Sequence, residues 1–381
     1  MNYLEKLLQG APVEWKTLRE VAKLQRGRVI SKQYLSENIG DYPVYSSQTA
    51  NNGEIGTIST FDFDQEAITW TTDGANAGTV FHRLGKFSIT NVCGLVNILD
   101  LQQLDYKFLF YWLSVEAKKY VYSGMGNPKL MSNQMEKIKI PIPPLSVQKE
   151  IARILDAFAA ITSELTSELT LRQKQYQHYR DKLLTFGDEV QWKPLGEVAD
   201  VIDSLHKTPV YADKGLSMCR VTDIKGGFLN LEETFKVSEE VFAEFTKRYT
   251  PKKYDLVMSR VGSYGNVSIV PLDDAVCMGQ NTVVIHSHIN SKFMYYFLTS
   301  KSAQEFIEKN VGGGNQKTLS LKTINLIPIP LPPIEEQKRI AAILDKFHTL
   351  THSLSEGLPK EIELRQKQYE YYRDLLLNFK R

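Results

Sequence analysis

Several side-chain patterns in the sequence could carry chemistry, and each lacks a part that catalysis would need. The run 312–318 resembles a phosphate-binding loop, but Gln316 stands where that loop has the glycine before its lysine. The pair His286 and His288 has no acidic or cysteine residue close by in the sequence to complete a metal site. The segment 127–129 lacks the second proline and the aromatic residue of a methyltransferase motif. The sequence therefore predicts a chain without an active site, a metal or a cofactor of its own.

Hydrogen-bond donors on glycine-rich loops indicate binding instead. Arg260 and Asn266 flank the run 262–265, which reads Gly-Ser-Tyr-Gly. Glycine lets the main chain approach another surface closely. Arginine can pair with guanine, asparagine or glutamine can pair with adenine, and backbone N–H groups and small hydroxyls can hold phosphate oxygens. This pattern is typical of a nucleic-acid surface, although each glycine could instead serve a tight turn and Asn266 could cap a loop.

The composition allows two or three folded cores and excludes a generally basic surface. The chain has 381 residues, 42% of them hydrophobic, and a net charge of +2. Any nucleic-acid surface must then be local. Basic residues do cluster between residues 15 and 32, and again at 247–248 and 252–253. Clusters of this kind are also common on solvated protein faces.

The sequence also carries expectations about location and redox state. It contains no run of 18 apolar residues and no signal-peptide pattern, so we expect a cytoplasmic protein that does not enter a membrane. Cys93, Cys219 and Cys277 are isolated from one another, which favours buried reduced thiols over disulfides or a zinc site.

A long internal repeat organises the chain. Residues 143–156 recur as 332–345, and residues 171–176 recur as 364–369. The second copy has a four-residue insertion between these segments. Each half is therefore predicted to be a variable domain followed by a similar spacer helix, with segment boundaries at 1–142, 143–187, 188–331 and 332–381.

Both helical segments carry apolar residues at the alternating spacing of a heptad seam. Proline pairs at 143–144 and 332–333 permit a helix to start directly after them, and Gly357 with Pro359 predicts a kink or short break in the second helix. We expect the two helices to pair as an antiparallel coiled coil with pseudo-twofold symmetry. Packing of each helix on its own domain, or dimerisation of the chain, is the alternative. The seam residues are Ile151, Leu155, Phe158, Leu165, Leu169, Tyr176, Ile340, Leu344, Phe347 and Tyr369.

The variable domains are predicted to be mixed α/β units, so the fold class is α+β. Residues 87–90 and 282–285 alternate like strands, and residues 106–120 and 292–308 are predicted to be helical. The two domains share this plan but little sequence, so they should present different surfaces.

At the junctions between domain and helix the chain resembles a known family. Residues 140–144 and 329–333 each contain spaced prolines, and each is followed by a helix that reads Gln-Lys-x-Ile-Ala-x-Ile-Leu-Asp. These junctions look like those in specificity subunits of type I restriction–modification systems. Loops in both domains are similar to target-recognition loops of the same family: 45–48, 71–80, 126–129, 208–209, 219–224 and 255–267.

The resemblance implies a function and partners. Each variable domain is expected to be a target-recognition domain that reads one half of a split double-stranded DNA site. The helices are expected to dock two modification (methyltransferase) subunits, which restriction subunits then join. Methylation would be at adenine N6 and would use S-adenosylmethionine bound by the modification subunit, with no cofactor on this chain.

The resemblance and the side-chain chemistry together mark the residues expected to contact DNA. Lys129 and Lys317 stand in equivalent places and are assigned to phosphate contacts. In the first domain the expected residues are Arg26, Arg28, Ser47, Gln48, Asn76, Asn127 and Lys129. In the second they are Arg220, Thr222, Ser259, Arg260, Ser263, Tyr264, Asn266, Asn315 and Lys317.

A second class of function also fits the long helices, namely a coiled-coil scaffold or adaptor that binds proteins and not DNA. Such a protein would show no salt-dependent affinity for DNA, whereas a phosphate-binding protein loses affinity steeply as salt rises. A self-sufficient methyltransferase or nuclease is not expected, because its motifs are absent.

Overall fold

The computed structural model describes residues 3–122, 126–313, 317–353 and 356–380. The chain divides into two compact units: unit 1 comprises Met1–Leu165 and Ile362–Arg381, and unit 2 comprises Thr166–Glu361. Each unit contains one variable domain and parts of both helical segments. The units therefore cut across the four segments that the repeat defines in the sequence.

Unit 1 contains a mixed α/β domain. Its strands are β1 (Glu14–Thr17), β2 (Ala22–Arg26), β3 (Ile39–Tyr45), β4 (Glu54–Ile58), β5 (Phe63–Asp64), β6 (Ala67–Thr71), β7 (Val80–Arg83), β8 (Lys86–Ile89), β9 (Cys93–Ile98) and β10 (Lys139–Ile142). Its shorter helices are α1 (Tyr3–Leu8), α2 (Leu18–Val21), α3 (Lys32–Glu37), α4 (Tyr106–Glu116) and α5 (Ser132–Met135). The sheets have the orders β2-β9-β6-β7, β4-β3-β8-β5 and β1-β10.

Unit 2 contains a second domain of the same kind. The long helix between the two domains is α6 (Leu145–Leu183). The strands of unit 2 are β11 (Gln191–Pro194), β12 (Ala199–Asp203), β13 (Leu216–Cys219), β14 (Phe235–Val237), β15 (Leu256–Ser259), β16 (Val267–Ile269), β17 (Val276–Met278), β18 (Thr282–Ser287) and β19 (Pro328–Leu331). Its shorter helices are α7 (Leu195–Val198), α8 (Glu239–Phe245), α9 (Ser291–Leu298), α10 (Lys301–Asn310) and α11 (Leu321–Asn325). The sheets have the orders β12-β18-β15-β16, β14-β13-β17 and β11-β19.

The two domains share one topology. The principal sheet of each unit is antiparallel and joins its strands in the same chain order. The second sheet of each unit contains one parallel pair, β3 with β8 and β13 with β17. The predicted mixed α/β class and the common plan are confirmed, and the predicted strands 87–90 and 282–285 correspond to β8 and β18.

Side-chain caps explain where the domain helices begin. Asp105 caps α4, Asn290 caps α9 and Ser300 caps α10, each accepting a hydrogen bond from the backbone N–H three positions later. The predicted helix 106–120 is α4 followed by a 3-10 turn over Ala117–Tyr120. The predicted helix 292–308 is instead two helices, because the buried Ser300 starts a new one.

The seam of the long helices is buried or half-buried, and the paired segments run antiparallel. The second helical segment forms α12 (Ile334–His352) and α13 (Gly357–Leu376). In unit 2 the Tyr176 ring lies 5.4 Å from His352, and the later Tyr179 stacks on the earlier Phe347 at 5.7 Å. In unit 1 Phe158 stacks on a tyrosine of α13, Tyr372, at 5.1 Å. Among the predicted seam residues Ile151, Leu155, Tyr176, Ile340 and Leu344 are buried, and Phe158, Leu165, Leu169, Phe347 and Tyr369 are half-buried.

The predicted break in the second helix is confirmed. Helix α12 ends at His352 and α13 starts at Gly357, whose φ of 79° lies in the left-handed region. A Cβ at this position would approach the carbonyl oxygen of Thr349 to 2.4 Å, so glycine is required there.

Each long helix is fixed to the domain before it by a cluster that we call the aspartate latch. In unit 1 Asp156 of α6 accepts a hydrogen bond from the Tyr111 hydroxyl at 2.6 Å and pairs with Lys107 at 3.1 Å. Lysine and tyrosine lie four positions apart on α4 and therefore share one helix face. Burial, and then the bond to Asp156, raises the pKa of Tyr111, so this hydroxyl stays a donor.

The same latch recurs in unit 2. Asp345 of α12 accepts from the Tyr296 hydroxyl at 2.7 Å and pairs with Lys292. A buried glutamine supports the helix start in both units: Gln148 accepts from the Asp105 N–H at 2.9 Å, and Gln337 accepts from the Asn290 N–H at 3.1 Å. The repeated Gln and Asp of the helical motif thus join each helix to its domain at two points.

We expect the variant Asp156→Ala to lower the free energy of unfolding of unit 1 by about 1 kcal/mol, because the Tyr111 hydroxyl loses its acceptor. Urea denaturation followed by tryptophan fluorescence measures this, since Trp15, Trp70 and Trp112 all lie in unit 1. A double-mutant cycle with Tyr111→Phe should show coupling. The control Glu150→Ala breaks an exposed ion pair with Arg153 on the same helix and should cost less than about 0.5 kcal/mol. If the losses in unfolding free energy of the two single variants simply add up in the double variant, Asp156 and Tyr111 do not stabilise each other and the latch is refuted.

Candidate nucleic-acid interface

In unit 1 a compact loop after β6 presents Asn76. The loop is closed by backbone hydrogen bonds, Gly78 N–H to the Thr71 carbonyl at 2.9 Å and Ala77 N–H to the Gly74 carbonyl at 2.9 Å. The Thr71 hydroxyl donates to the carbonyl of Asn76. The main chain of Asn76 is therefore fixed while its side chain is exposed.

A second segment lies beside this loop and carries Asn127 and Lys129. The Gly74 N–H donates to the Pro128 carbonyl at 3.0 Å, and Lys129 exchanges two backbone hydrogen bonds with Tyr122 at 2.8 and 2.9 Å. Asn127 and Lys129 are exposed. The structure thus brings together three of the residues predicted for the first domain, Asn76, Asn127 and Lys129.

The remaining predicted residues of unit 1 surround the turn at residues 90–92. The Arg26 guanidinium donates to the Asn91 carbonyl, and the Ser46 hydroxyl, next to Ser47, bonds to the Thr90 hydroxyl at 2.8 Å. Ser47 itself is half-buried. The loop after β6 meets the same turn, because Thr72 N–H donates to the carbonyl of residue 92 at 3.2 Å. All seven predicted residues therefore belong to one contiguous cluster of loops.

Besides Arg26, two more side chains of this cluster, Arg28 and Gln48, are engaged within the protein. Arg28 pairs with Asp62 at 3.0 Å and lies over the Tyr34 ring at 4.9 Å. The Gln48 amide donates to the carbonyl of Glu54. Their present contacts shape the loops, whereas Asn76, Asn127 and Lys129 face outward.

In unit 2 the equivalent loop follows β15 and is built around Ser259. This residue is fully buried; its hydroxyl accepts from the Asn266 N–H at 3.1 Å and donates to the Ser263 carbonyl. Gly262 and Gly265 have φ values of 73° and 75°, which the loop requires. Ser259 therefore shapes the loop from inside and is not part of its surface, while the Ser263 and Asn266 side chains are exposed.

Arg260 is also an internal residue. Its side chain is 12% exposed, pairs with Asp203 at 2.6 Å and donates to the Leu319 carbonyl at 3.1 Å. Its backbone N–H donates to the carbonyl of Asn281 at 2.8 Å. Arg260 thus ties the loop to three other segments, and in this arrangement its guanidinium is engaged within the protein.

Lys317 and Tyr264 form a small exposed network with Glu308 of α10. The Lys317 ammonium lies 2.6 Å from a Glu308 oxygen, and the Tyr264 hydroxyl donates to the other oxygen of the same carboxylate. The bond to Glu308 raises the pKa of Lys317, and the bond to Lys317 lowers the pKa of Glu308. Asn315 lies outside the described residues.

Arg220 and Thr222 follow β13. The Arg220 guanidinium pairs with Asp223 at 3.0 Å and lies over the Phe235 ring at 3.6 Å, whereas Thr222 is exposed. The bond to Asp223 raises the pKa of Arg220, so its charge is retained.

Sequence reasoning missed the acidic partners of these cations. Asp62 and Asp203 lie far from their partners in the sequence and Glu308 lies nine positions before Lys317, and no local signal identifies any of the three. Asp223 could have been found, since it lies three positions after Arg220.

Cys93, Cys219 and Cys277 are buried free thiols, as expected. Burial raises the pKa of Cys93 to about 12, so this thiol is protonated at neutral pH. Among the described residues no group of three or more His, Cys, Asp or Glu is placed to hold a metal ion. Within the same part of the chain, no helix is both long enough and apolar enough to cross a membrane. The loop clusters offer amides, hydroxyls and lysines, which are groups for binding.

We expect Asp203→Ala to lower the free energy of unfolding of unit 2 by about 3 kcal/mol, because it leaves the buried Arg260 charge without its partner. Hydrogen-exchange mass spectrometry of unit 2 peptides over a urea series measures this, because tryptophan fluorescence would also report Trp15, Trp70 and Trp112 of unit 1. The control Lys252→Ala breaks an ion pair of equal length, 2.6 Å to Asp274, whose side chains are 49% and 57% exposed. The control should cost less than about 1 kcal/mol. Equal losses in the two variants would contradict a structural role for Arg260.

Comparison with known proteins places these observations in a family. Residues 12–172 and 188–364 match the family described as type I restriction modification DNA specificity domain. The chain is 32% identical over 405 residues to the EcoR124I/EcoR124II specificity subunit of Escherichia coli, covering 100% of this chain and 97% of the relative. It is 37% identical over 396 residues to a type I restriction enzyme specificity subunit of Haemophilus influenzae, covering 99% and 98%.

Solved structures agree in fold. The S subunit of a type I restriction–modification system from M. genitalium superposes with a TM-score of 0.60 at 17% identity, over 99% of this chain and 98% of that one. A chain from a structural study of the assembly and conformational transition of the type I system gives a TM-score of 0.57 at 16% identity, over 97% and 98%. With the duplicated domains, the long helices and the match along both halves of the sequence, the chain belongs to the type I restriction–modification DNA specificity family.

Proposed function

We propose that each unit reads one half of a bipartite double-stranded DNA target and that the chain directs methylation and restriction by partner subunits. One observation carries this proposal: the same framework occurs twice, and the two copies present different exposed side chains at equivalent loops. On the loop after β6 unit 1 exposes Asn76, and on the equivalent loop after β15 unit 2 exposes Ser263 and Asn266. Two similar frameworks with different surfaces suit two different half-sites.

The exposed side chains divide by chemistry into base-reading and phosphate-binding groups. The amides of Asn76, Asn127 and Asn266 can pair with the adenine edge in the major groove. Lys129 and Lys317 lie on equivalent segments and suit phosphate oxygens, which fix the position of the protein on the duplex. The four arginines predicted to contact DNA are held by acidic side chains or carbonyl groups and support the loops: Arg26, Arg28, Arg220 and Arg260.

The helices suit two copies of one partner. Unit 1 exposes Ile161 and Leu364, with 41% and 49% of their surface accessible. Unit 2 exposes the repeat-equivalent residues Leu350 and Leu171, at 36% and 60%. In this proposal these exposed side chains form part of a contact surface for a protein partner. Each unit therefore offers the same apolar pair, which fits two modification subunits, with restriction subunits joining them.

The methyl donor belongs to the partner in this proposal. The sequence lacks the methyltransferase motif, so S-adenosylmethionine is assigned to the modification subunit, which would methylate adenine N6. The chain is a specificity subunit, and catalysis is carried by the other subunits of the complex.

A methylome tests the proposal directly. We expect that expressing this chain with its modification subunit in a host without DNA methylation produces methyladenine in one split motif, with two half-sites around a fixed unspecified spacer. Exchanging residues 188–331 for those of another family member should change one half-site only. The absence of new methylation, with both subunits soluble and associated, would instead favour the scaffold function, which also predicts no salt-dependent DNA affinity.

We expect Glu308→Gln to tighten binding to target DNA by about three- to tenfold, since it removes a negative charge beside Lys317 and frees the ammonium for phosphate. Lys317 stays charged in this variant because its ordinary pKa is far above neutral. Lys317→Ala should weaken binding to all sequences and reduce the salt slope by about 1. Fluorescence anisotropy at several salt concentrations measures both effects.

The matched control is Glu305→Gln on the same helix, whose carboxylate pairs with Lys301 at 3.8 Å. It should change affinity by less than about twofold at moderate salt, because it does not contact Lys317. If both glutamine variants tighten binding equally, the effect is one of net charge, and Lys317 has no specific contact with phosphate.

A further inference from the structure

Unit 2 contains a cavity that the loop clusters described above do not explain. It has a volume of about 530 Å³ and lies between the end of β12, the end of α8, and strands β17 and β18. Its walls combine apolar side chains, such as Ile202, Phe245, Met278 and Val284, with charged and polar ones, including Asp203 and Glu244. Its volume falls within the range of pockets that hold small organic ligands, about 300–1,000 Å³.

A buried hydroxyl in the wall of this cavity has no partner among the described residues. Ser204 lines the cavity and is 5% exposed, and among the described residues its hydroxyl makes no hydrogen bond. Buried polar groups are almost always hydrogen-bonded, so an unpartnered one points to a group that the protein alone does not supply.

The first unit has no such hydroxyl at the equivalent position. There the residue after β2 is Gly27, where a Cβ would lie 2.0 Å from the Ile89 carbonyl oxygen, so no side chain fits. The unpartnered hydroxyl is therefore a feature of the second domain and not of the common framework.

Two cations also line the cavity. Lys247 and Arg248 are exposed, and neither has an ion pair among the described residues. Nearby lysines differ: Lys207 pairs with Glu244 at 2.6 Å, and Lys252 pairs with Asp274 at 2.6 Å. A cavity with apolar side chains, a buried hydroxyl at its wall and two cations that form no ion pair among the described residues matches the three parts of a nucleotide, its base, the polar edge of that base and its phosphate.

The cavity adjoins the candidate nucleic-acid interface. Asp203 lines it and also binds Arg260, which holds the loop after β15. The same Asp203 accepts from His206 at 2.9 Å through its other oxygen. The cavity and the loop after β15 are thus connected through Asp203.

We propose that this cavity binds a single nucleotide, with its base among the apolar side chains, a polar atom of the base on the Ser204 hydroxyl, and its phosphate on Lys247 and Arg248. The nucleotide can come from two sources, a base turned out of the bound DNA or a free mononucleotide. The first source rests on the proposed DNA-binding function, and the second does not.

Photocrosslinking of the full chain with its modification subunit tests both sources. In one arm the target DNA carries a photoreactive base, a 5-iodopyrimidine or an 8-bromopurine, at one half-site position at a time. In the other arm the probe is 8-azidoadenosine 5′-monophosphate without DNA. We expect one of the two probes to label the segment 244–249 or Met278, as mapped by mass spectrometry.

Two variants test the assigned contacts. Ser204→Ala should reduce labelling about fivefold, because the nucleotide loses one hydrogen bond. The melting temperature of the free chain should stay unchanged or rise, because the variant removes a buried hydroxyl that has no partner. The double variant Lys247→Ala with Arg248→Ala should reduce it about tenfold. The control Lys338→Ala with Arg339→Ala makes the same charge change on α12, away from the cavity, and should leave labelling unchanged.

The outcomes separate this inference from the proposed function. If the complex binds and methylates its DNA but neither probe labels the cavity, solvent alone fills it and the inference is overturned, while the proposed function stands. If the chain does not bind DNA, the proposed function fails, and the free-nucleotide arm alone decides: labelling supports the site and no labelling refutes it. Labelling that survives both cavity variants also refutes it.

Discussion

The apolar seam of the long helices is the constraint on which the rest of the structure depends. A helix of 39 residues with a heptad seam is not stable in water unless a partner covers that seam. The chain supplies the partner from its own second repeat. In unit 1 the returning segment also completes the domain core, because Leu376, Leu377 and Phe379 pack with Phe108, Trp112 and Leu155. The first domain therefore needs residues from the far end of the sequence.

The polar residues of the repeat hold each long helix against its domain. Gln148 and Gln337 satisfy backbone groups where each long helix starts, and Asp156 and Asp345 hold the domain helix beside it. These contacts fix where each helix leaves its domain, while the seam alone would allow sliding along the helix axis. Because each contact is made within one unit, both units obtain the same junction from the same motif.

The sequence was most informative where structure is set by local spacing. The repeat, the heptad seam and the break at Gly357 follow from residues close in the chain, and all three are confirmed. Division of the predicted helix 292–308 depends on one cap, Ser300, which sequence reasoning passed over. The latches were not predicted, because they require knowing how α4 and α9 lie against the long helices. Ser259 and Arg260 are residue types that often contact DNA. Only the fold shows that Ser259 is buried and that Arg260 is paired with Asp203.

This internal use of polar residues explains how a specificity protein can vary its surface and keep its fold. In both units the charged and small polar residues that shape the loops lie inside or are paired, as with Arg260 and Asp203. The exposed Asn76, Asn127, Ser263 and Asn266 have no comparable role in the core. Substitution at those positions changes what the loop offers to a base edge without leaving a buried charge or hydroxyl unpaired. Separation of the supporting residues from the exposed ones therefore lets the two domains differ in sequence while both retain the junction that joins them to the helices.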